Sequence, residues 1–315
     1  MAAQAVQDAP AGRGEVLLRL AVIGAGHMGR FHAEKFARLP GVQLAAVVDP
    51  DPARAPISDF RKVLGDVDAA VIAVPTHLHH EVARAFLERG LHVLIEKPLA
   101  ATLAEADDLV NLASKKNAVL QVGHVQRYSN AFKALAKRVD RALYIDAERL
   151  AGFKQRGAEV DVILDLMIHD LDLALSLART EVSGVSACGF RVLTGDIDIA
   201  TARIEFANGC VADLSASRVS QSVVRKFRVF EPGLYASADL QAGKLRYVRQ
   251  EGGEIRETEE MHTGGDALEA QAQAFVEAVH GRQPPAVDGA EGRRVLKLAL
   301  EIGRLVRERL ARFSS

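Results

Sequence analysis

Three glycines, Gly24, Gly26 and Gly29, constrain what this chain can fold into more than any other feature. They stand in Leu20-Ala21-Val22-Ile23-Gly24-Ala25-Gly26-His27-Met28-Gly29-Arg30, spaced G-x-G-x-x-G. The unbroken apolar run Leu18 to Ile23 leads in, and Phe31 to Leu39 follows with helical spacing. In a strand–turn–helix, the first glycine permits a tight turn and the second lets backbone approach a pyrophosphate. The third lets the helix pack close to the strand, so that its N-terminal N–H groups face the phosphates. A second apolar run, Leu44 to Val48, ends in Asp49, where a carboxylate bonds adenine-ribose hydroxyls. The stretch reads as a dinucleotide site held by Gly24, Gly26, His27, Met28, Gly29 and Asp49.

Apolar strands and helical stretches go on alternating as far as Gly123. Ala69 to Val74 has the unbroken apolar character of a strand buried in a parallel sheet. Pro75-Thr76 ends it, and His79 to Arg89 has helical spacing with Gly90 as its stop. His92 to Ile95 is the next strand, followed by Glu96-Lys97-Pro98. Thr102 and Glu105 make a capping box for a helix running to Lys116, and Val119 to Val122 is a further strand. Repeated β–α–β units predict an α/β fold with a doubly wound parallel sheet, in which ligands sit at the C-terminal strand ends. Pro75, Thr76, His79, Glu96, Lys97 and His124 follow strands and are expected at that crevice. Turn chemistry alone accounts equally well for either proline. Lys97 is harder to assign to packing, because lysine is seldom buried without a partner.

At 315 residues the chain has room for a second unit. It is expected over 124–315, after a dinucleotide domain over 16–123. The Ala-, Gln- and Gly-rich stretch 1–15 lacks a signal peptide's apolar core and reads as a disordered leader. In Asp161-Val162-Ile163-Leu164-Asp165-Leu166-Met167-Ile168-His169-Asp170-Leu171-Asp172-Leu173, apolar residues surround the polar ones so densely that a largely buried helix is predicted. Asp165 and His169, at i and i+4, share one face, and Asp172 joins them. An unpartnered buried polar group costs of order 2 kcal/mol or more, so such a stripe implies a polar cleft. Capping explains Asp161 better than Asp165, and a satisfied core histidine is the plain alternative for His169. No third ligand stands at metal spacing, and no metal is expected.

Beyond Ser183 the pattern changes to strands. Ala200 to Phe206 and Cys210 to Ser215 flank the hairpin signal Ala207-Asn208-Gly209. Val223 to Phe230 alternates basic with apolar residues, and Arg225, Lys226 and Arg228 read as a solvated face. Leu245 to Val248 continues the strand character, and Ala267 to His280 and Gly292 to Phe313 are amphipathic helices. An α+β domain with a large, mainly antiparallel open sheet is predicted. Forty basic against forty-one acidic residues give no bulk attraction for nucleic acid or membranes. Two cysteines, Cys188 and Cys210, form no framework, which suits a reducing cytoplasm.

Gly24-x-Gly26-x-x-Gly29, Val74-Pro75-Thr76-x-x-His79 and Glu96-Lys97-Pro98 together resemble the glucose–fructose oxidoreductase/inositol dehydrogenase/rhizopine-catabolism (Gfo/Idh/MocA) family. The likeness covers nearly all of the chain after the leader. It implies a Rossmann domain, then an α/β domain whose open sheet joins subunits, here into a homodimer or homotetramer. It also implies a nicotinamide-dependent oxidoreductase acting on a sugar, cyclitol or related ring alcohol. Members pair the lysine of Glu-Lys-Pro with an aspartate and, four residues later, a histidine: Lys97, Asp165 and His169 in this chain. His169 is then the candidate general base, since a neutral imidazole accepts a hydroxyl proton near neutral pH. Lys97 stabilises the developing negative oxygen, and Asp165 orients the pair. His124, Arg127 and Tyr128, with Lys97 and His169, are expected to bind substrate.

Within the family, Gly123 to Tyr128, Asp161 to Asp170 and Leu234 to Leu240 are most similar to bacterial nucleotide-sugar 3-dehydrogenases. That similarity implies oxidation of the 3-hydroxyl of UDP-N-acetylglucosamine to a 3-keto nucleotide sugar, which is aminated for lipid A synthesis. Many members carry Gly-Gly before the aspartate, whereas this chain has Glu159-Val160-Asp161-Val162, which argues against inositol or glucose. Another sugar, a UDP-uronic acid or a free cyclitol is the alternative. A non-catalytic dinucleotide sensor is expected to lack Lys97, Asp165 or His169, and all three are present. Asp49 favours NAD over NADP by repelling a 2′-phosphate, a preference that Arg54 softens.

Overall fold

The computed structural model describes residues 17–153 and 160–313; the expected leader over 1–15 and the polar stretch Lys154 to Glu159 lie outside them. The first part alternates β1 (Leu18–Ile23), α1 (His27–Phe36), β2 (Val42–Val48), β3 (Ala69–Ile72), α2 (His79–Leu87), β4 (His92–Glu96), α3 (Leu103–Lys116) and β5 (Leu120–Gly123). Among the described residues these five strands form a parallel sheet ordered β2-β1-β3-β4-β5. The order reverses between β1 and β3, so the glycine turn after β1 lies at the switch point where such sheets bind ligands. The capping box opens α3 as expected, with Thr102 bonded to the Glu105 N–H and the Glu105 side chain to the Thr102 N–H.

The second part runs α4 (Asn130–Ala136), β6 (Tyr144–Leu150), α5 (Ile168–Ala178), β7 (Val182–Phe190), β8 (Ile199–Phe206), β9 (Val211–Ser217), β10 (Val224–Glu231), β11 (Leu234–Asp239), β12 (Lys244–Glu251), β13 (Glu254–Met261), α6 (Ala267–Val279) and α7 (Gly289–Phe313). Its strands make a sheet ordered β13-β12-β11-β10-β6-β9-β8-β7, antiparallel except where β6 meets β9. Strand β6 pairs with β10 along its whole length, from Leu150–Val224 back to Tyr144–Phe230. Strands β7, β11 and β13 escape the sequence pattern. In β13 nearly every residue is exposed, so no alternation marks it.

Alternate residues of the parallel sheet feed two cores. Leu18, Leu20 and Val22 meet Phe36 of α1 and Ala272, Phe275 and Val276 of α6. Ala21 and Ile23 face Val82 and Phe86 of α2 and Leu109 of α3, with Val287 and Leu296 joining them. Helix α6 and the start of α7 therefore belong to the cover of the first sheet, and the expected boundary between 123 and 124 does not divide the packing. A third core lies between the inner face of the eight-stranded sheet (Ile145, Ala147, Phe227, Val229) and Leu171 of α5 with Ile302 and Val306 of α7.

The expected solvated face of β10 splits by register. Phe227 and Val229 are buried on the inner face, which places Arg225 inward with them, whereas Arg228 stands on the outer face with Asp146 and Glu148 of β6. Ahead of α5, Ile163–Met167 forms a π-helical turn. Asp161 caps it, its carboxylate accepting from the Ile163 and Leu164 N–H groups at 3.1 and 2.9 Å.

Candidate active site

The glycine turn is held by sterics and by one carboxylate. Gly24 has φ +92°, and a Cβ there would lie 2.6 Å from the Ala73 carbonyl oxygen; a Cβ on Gly29 would lie 1.7 Å from the Gly24 oxygen. At Gly26 a Cβ would meet nothing within 4 Å, so the backbone borders open space. The first turn of α1, with His27 and Met28, has no side-chain cap, which leaves donors for an anion. Asp49 is buried and accepts from the Ala25 N–H at 2.7 Å and the Asp51 N–H at 3.0 Å, fastening the turn to the end of β2. Further lone pairs remain for ribose hydroxyls. Bared donors over a glycine cradle fit a dinucleotide. Arg54 is exposed and paired with Asp51 at 3.1 Å.

Two residues expected to touch the cofactor are turned inward instead. Pro75 and Thr76 follow β3 at the crevice, but the His79 ring is buried, with Nδ1 2.8 Å from the Pro98 oxygen and Nε2 2.9 Å from the Val74 oxygen. Burial lowers its pKa, against the pull of those two carbonyls. His79 thus ties the loop after β3 to the loop after β4. Glu96 is buried beside His32, with Oε1 2.6 Å from Nε2. Burial would raise the Glu96 pKa, but the bond from His32 and the positive charges of His32 and Lys97 leave it lowered. Glu96 therefore couples β4 to α1, the helix that opens at the glycine turn. A strand-end address brings a side chain near the crevice, but a buried side chain takes its nearest protein partner.

Lys97 crosses from the first sheet to the start of α5. Its Nζ donates to the Asp165 carbonyl oxygen at 2.7 Å and stands 3.3 Å from Asp165 Oδ1 and 3.5 Å from the Leu164 oxygen. A π turn offsets the usual i→i−4 ladder, and such turns recur at functional sites. Here the turn presents its carbonyls to the lysine. His169 follows within the first turn of α5, and its Nδ1 has no partner among the described residues. Burial, then the charges of Lys97 and Arg149, hold its pKa well below 6.5, so the ring is neutral at physiological pH. Lys97, Asp165 and His169 are thus brought to one place. Asp172 does not join them: it is buried against Arg127 at 2.9 Å, and burial raises its pKa to about 7. The pairing with Arg127, from the turn after β5, is what takes Asp172 out of the expected stripe.

The residues after β5 are largely enclosed. His124 is buried with neither ring nitrogen partnered among the described residues, and burial lowers its pKa to about 3. Arg127 is committed to Asp172 and, at 3.3 Å, to Glu291 of α7. Tyr128 is buried, which raises its pKa to about 12. A cavity of about 570 Å³ opens between Leu39, Asn130, Gln241 and the start of α6; of the expected site residues only Tyr128 borders it.

With this geometry in view, comparison with known proteins is informative. Residues 18–124 match the description "Oxidoreductase family, NAD-binding Rossmann fold", and residues 143–230 match the GFO/IDH/MocA C-terminal domain. The UDP-N-acetylglucosamine 3-dehydrogenase of Acidithiobacillus ferrooxidans is 39% identical over 302 residues, 90% of this chain and 96% of that one. The chain belongs to the Gfo/Idh/MocA oxidoreductase family. The solved structure of that relative, GnnA, superposes with a TM-score of 0.87, covering 92% of this chain and 98% of the other. The scyllo-inositol 2-dehydrogenase (NAD(+)) of Bacillus subtilis is 30% identical over 64% of this chain and 68% of its own. The Lactobacillus casei scyllo-inositol dehydrogenase, solved with NAD(H) and scyllo-inositol, has a TM-score of 0.79 at 18% identity, a likeness of fold. This Gfo/Idh/MocA chain is accordingly a dehydrogenase with an NAD-binding Rossmann domain.

Two features of the site escaped the sequence. His32 lies on the buried side of α1 with Gly29 and Phe36, a position that pattern alone assigns to core. Arg149 alternates with Ile145 and Ala147 on the covered face of β6, where it is fully enclosed and bidentate to Asp170, next to His169, at 2.8 and 2.7 Å. A cation in register with apolar residues was the available signal.

Proposed function

We propose that this protein oxidises the 3-hydroxyl of UDP-N-acetylglucosamine with NAD, yielding a 3-keto nucleotide sugar. The observation that carries the chemistry is Lys97 at the end of β4 meeting Asp165 on the π turn beside His169. The substrate assignment rests on the 39% identity to a dehydrogenase of that name, matched over nearly its whole length.

The glycine turn and the start of α1 would hold the pyrophosphate, and Asp49 the adenine ribose. The chemistry that NAD supplies when bound is acceptance of the hydride. His169, neutral through burial and neighbouring positive charge, takes the hydroxyl proton. Lys97 donates to the same oxygen as negative charge develops, with its ammonium held by the Asp165 carbonyl and carboxylate. Asp49 selects NAD because a 2′-phosphate would meet its carboxylate. The outer face of the eight-stranded sheet, with Tyr144, Phe230 and Tyr235 in ring contact, suits self-association into a dimer or tetramer.

The test is a substrate panel read by NADH absorbance. UDP-N-acetylglucosamine should give turnover with NAD, well above that with N-acetylglucosamine, glucose or myo-inositol. Turnover of a free sugar or inositol without turnover of the nucleotide sugar would overturn the assignment.

A further inference from the structure

Arg225 is a cation with no ion-pair partner among the described residues. It stands directly opposite Arg149 across the β6–β10 pair. Like charges so placed destabilise a sheet. Arg149 is neutralised by Asp170 through two bonds, and Arg127 by Asp172 and Glu291. Lys97 is paired with Asp165, and the rings of His124 and His169 are neutral because burial and nearby positive charge lower their pKa. No carboxylate among the described residues bonds Arg225, and burial and Arg149 lower the pKa of its half-buried guanidinium against a weaker pull from Asp170, which is committed to Arg149. Its neighbour across the strands, Arg149, bonds Asp170, the residue after His169, so Arg225 belongs to the same corner of the molecule. A half-buried arginine without an anion is costly, and sites keep such strain where a ligand relieves it.

We propose that Arg225 anchors the diphosphate of the nucleotide sugar, as a specificity residue on the covered face of the sheet beside the catalytic histidine. This rests on the nucleotide-sugar reading of the site. In a UDP-linked sugar the diphosphate hangs from C1, with one ring carbon, C2, between it and the reacting C3. An anchor near His169 therefore brings the 3-hydroxyl to the base, and a guanidinium suits the fork of oxygens that a diphosphate offers. Neutral sugars and cyclitols have nothing to satisfy it.

The test uses the full-length protein and its Arg225→Gln and Arg225→Lys variants. Losing a charge-assisted contact should raise KM for UDP-N-acetylglucosamine about 10- to 100-fold in Arg225→Gln, with Arg225→Lys recovering part of the loss. KM for NAD should move by less than about twofold. The melting temperature should stay or rise, because a charge without an ion-pair partner has been removed. Calorimetric titration of UDP into the NAD-bound protein should show the same loss of affinity, whether or not turnover is measured. An unchanged UDP affinity in Arg225→Gln, or no UDP binding by the wild type, would overturn the anchor. So would a joint loss of NAD affinity and melting temperature, which marks a structural role. Failure of the wild type to oxidise UDP-N-acetylglucosamine while binding UDP through Arg225 would overturn the substrate assignment alone.

Discussion

Replacing Lys97 by methionine separates its chemical role from its structural one. The ammonium is 19% exposed and Asp165 38% exposed, so water takes over the Asp165 groups once the amine is gone. Removing a partly exposed ion pair and its bond to the 2.7 Å carbonyl should cost about 1 kcal/mol of stability. That loss leaves the domain folded, since native stabilities run to about 5–15 kcal/mol. The catalytic cost is larger, because a donor aimed at a developing oxyanion is worth roughly 100- to 1,000-fold in kcat. Asp165→Ala leaves Lys97 its two backbone carbonyls and should lose about tenfold, as an orienting contact does. Initial rates of NADH formation with UDP-N-acetylglucosamine, beside melting curves of both variants, give the comparison. A Lys97→Met enzyme within tenfold of wild-type kcat would refute the assignment, as would activity lost only in step with melting temperature.

Because burial holds the His169 pKa well below 6.5, the acid limb of kcat/KM should fall below that pH and the rate stay flat above it; a limb centred at 7 or higher would assign the base elsewhere. A Cβ on Gly29 would sit 1.7 Å from the Gly24 oxygen, so Gly29→Ala should weaken NADH binding by more than about tenfold in a fluorescence titration. His32→Leu strands the buried Glu96 carboxylate and should cost about 3 kcal/mol by urea denaturation, with Glu96→Gln restoring part in the double variant. The Glu96 pKa is lowered from 4.5, so its stabilisation is present above that pH and is lost as pH falls through the folded value. The stability of His32→Leu should therefore fall less steeply below pH 4.5 than that of the wild type.

The first half of the fold was legible because each of its signals is local. The glycine turn, the apolar runs and the Thr102–Glu105 box depend on neighbours in sequence, and each folds as expected. The edge strand β13 was not, since its residues are exposed on both faces and carry no alternation. The positions of Lys97, Asp165 and His169 in the sequence pointed to residues that the fold brings together, but Glu96 and His79 show the limit of that method. Both follow strands as expected, but the partners that hold them inward include His32 and the Pro98 carbonyl, which are distant in sequence. Asp172 stands at helical spacing from His169, but its partner, Arg127, comes from the turn after β5, which helical spacing does not reveal. Arg225 was read as solvated because facing is set by strand register with β6, which the sequence does not print.

The central claim is hydride removal from C3 of a nucleotide sugar, and isotope transfer reads it directly. UDP-N-acetylglucosamine deuterated at C3 is incubated with the enzyme and NAD, and the reduced cofactor is analysed by mass spectrometry. The account predicts deuterium in the reduced nicotinamide and a 3-keto product. Turnover that yields unlabelled NADH would contradict it.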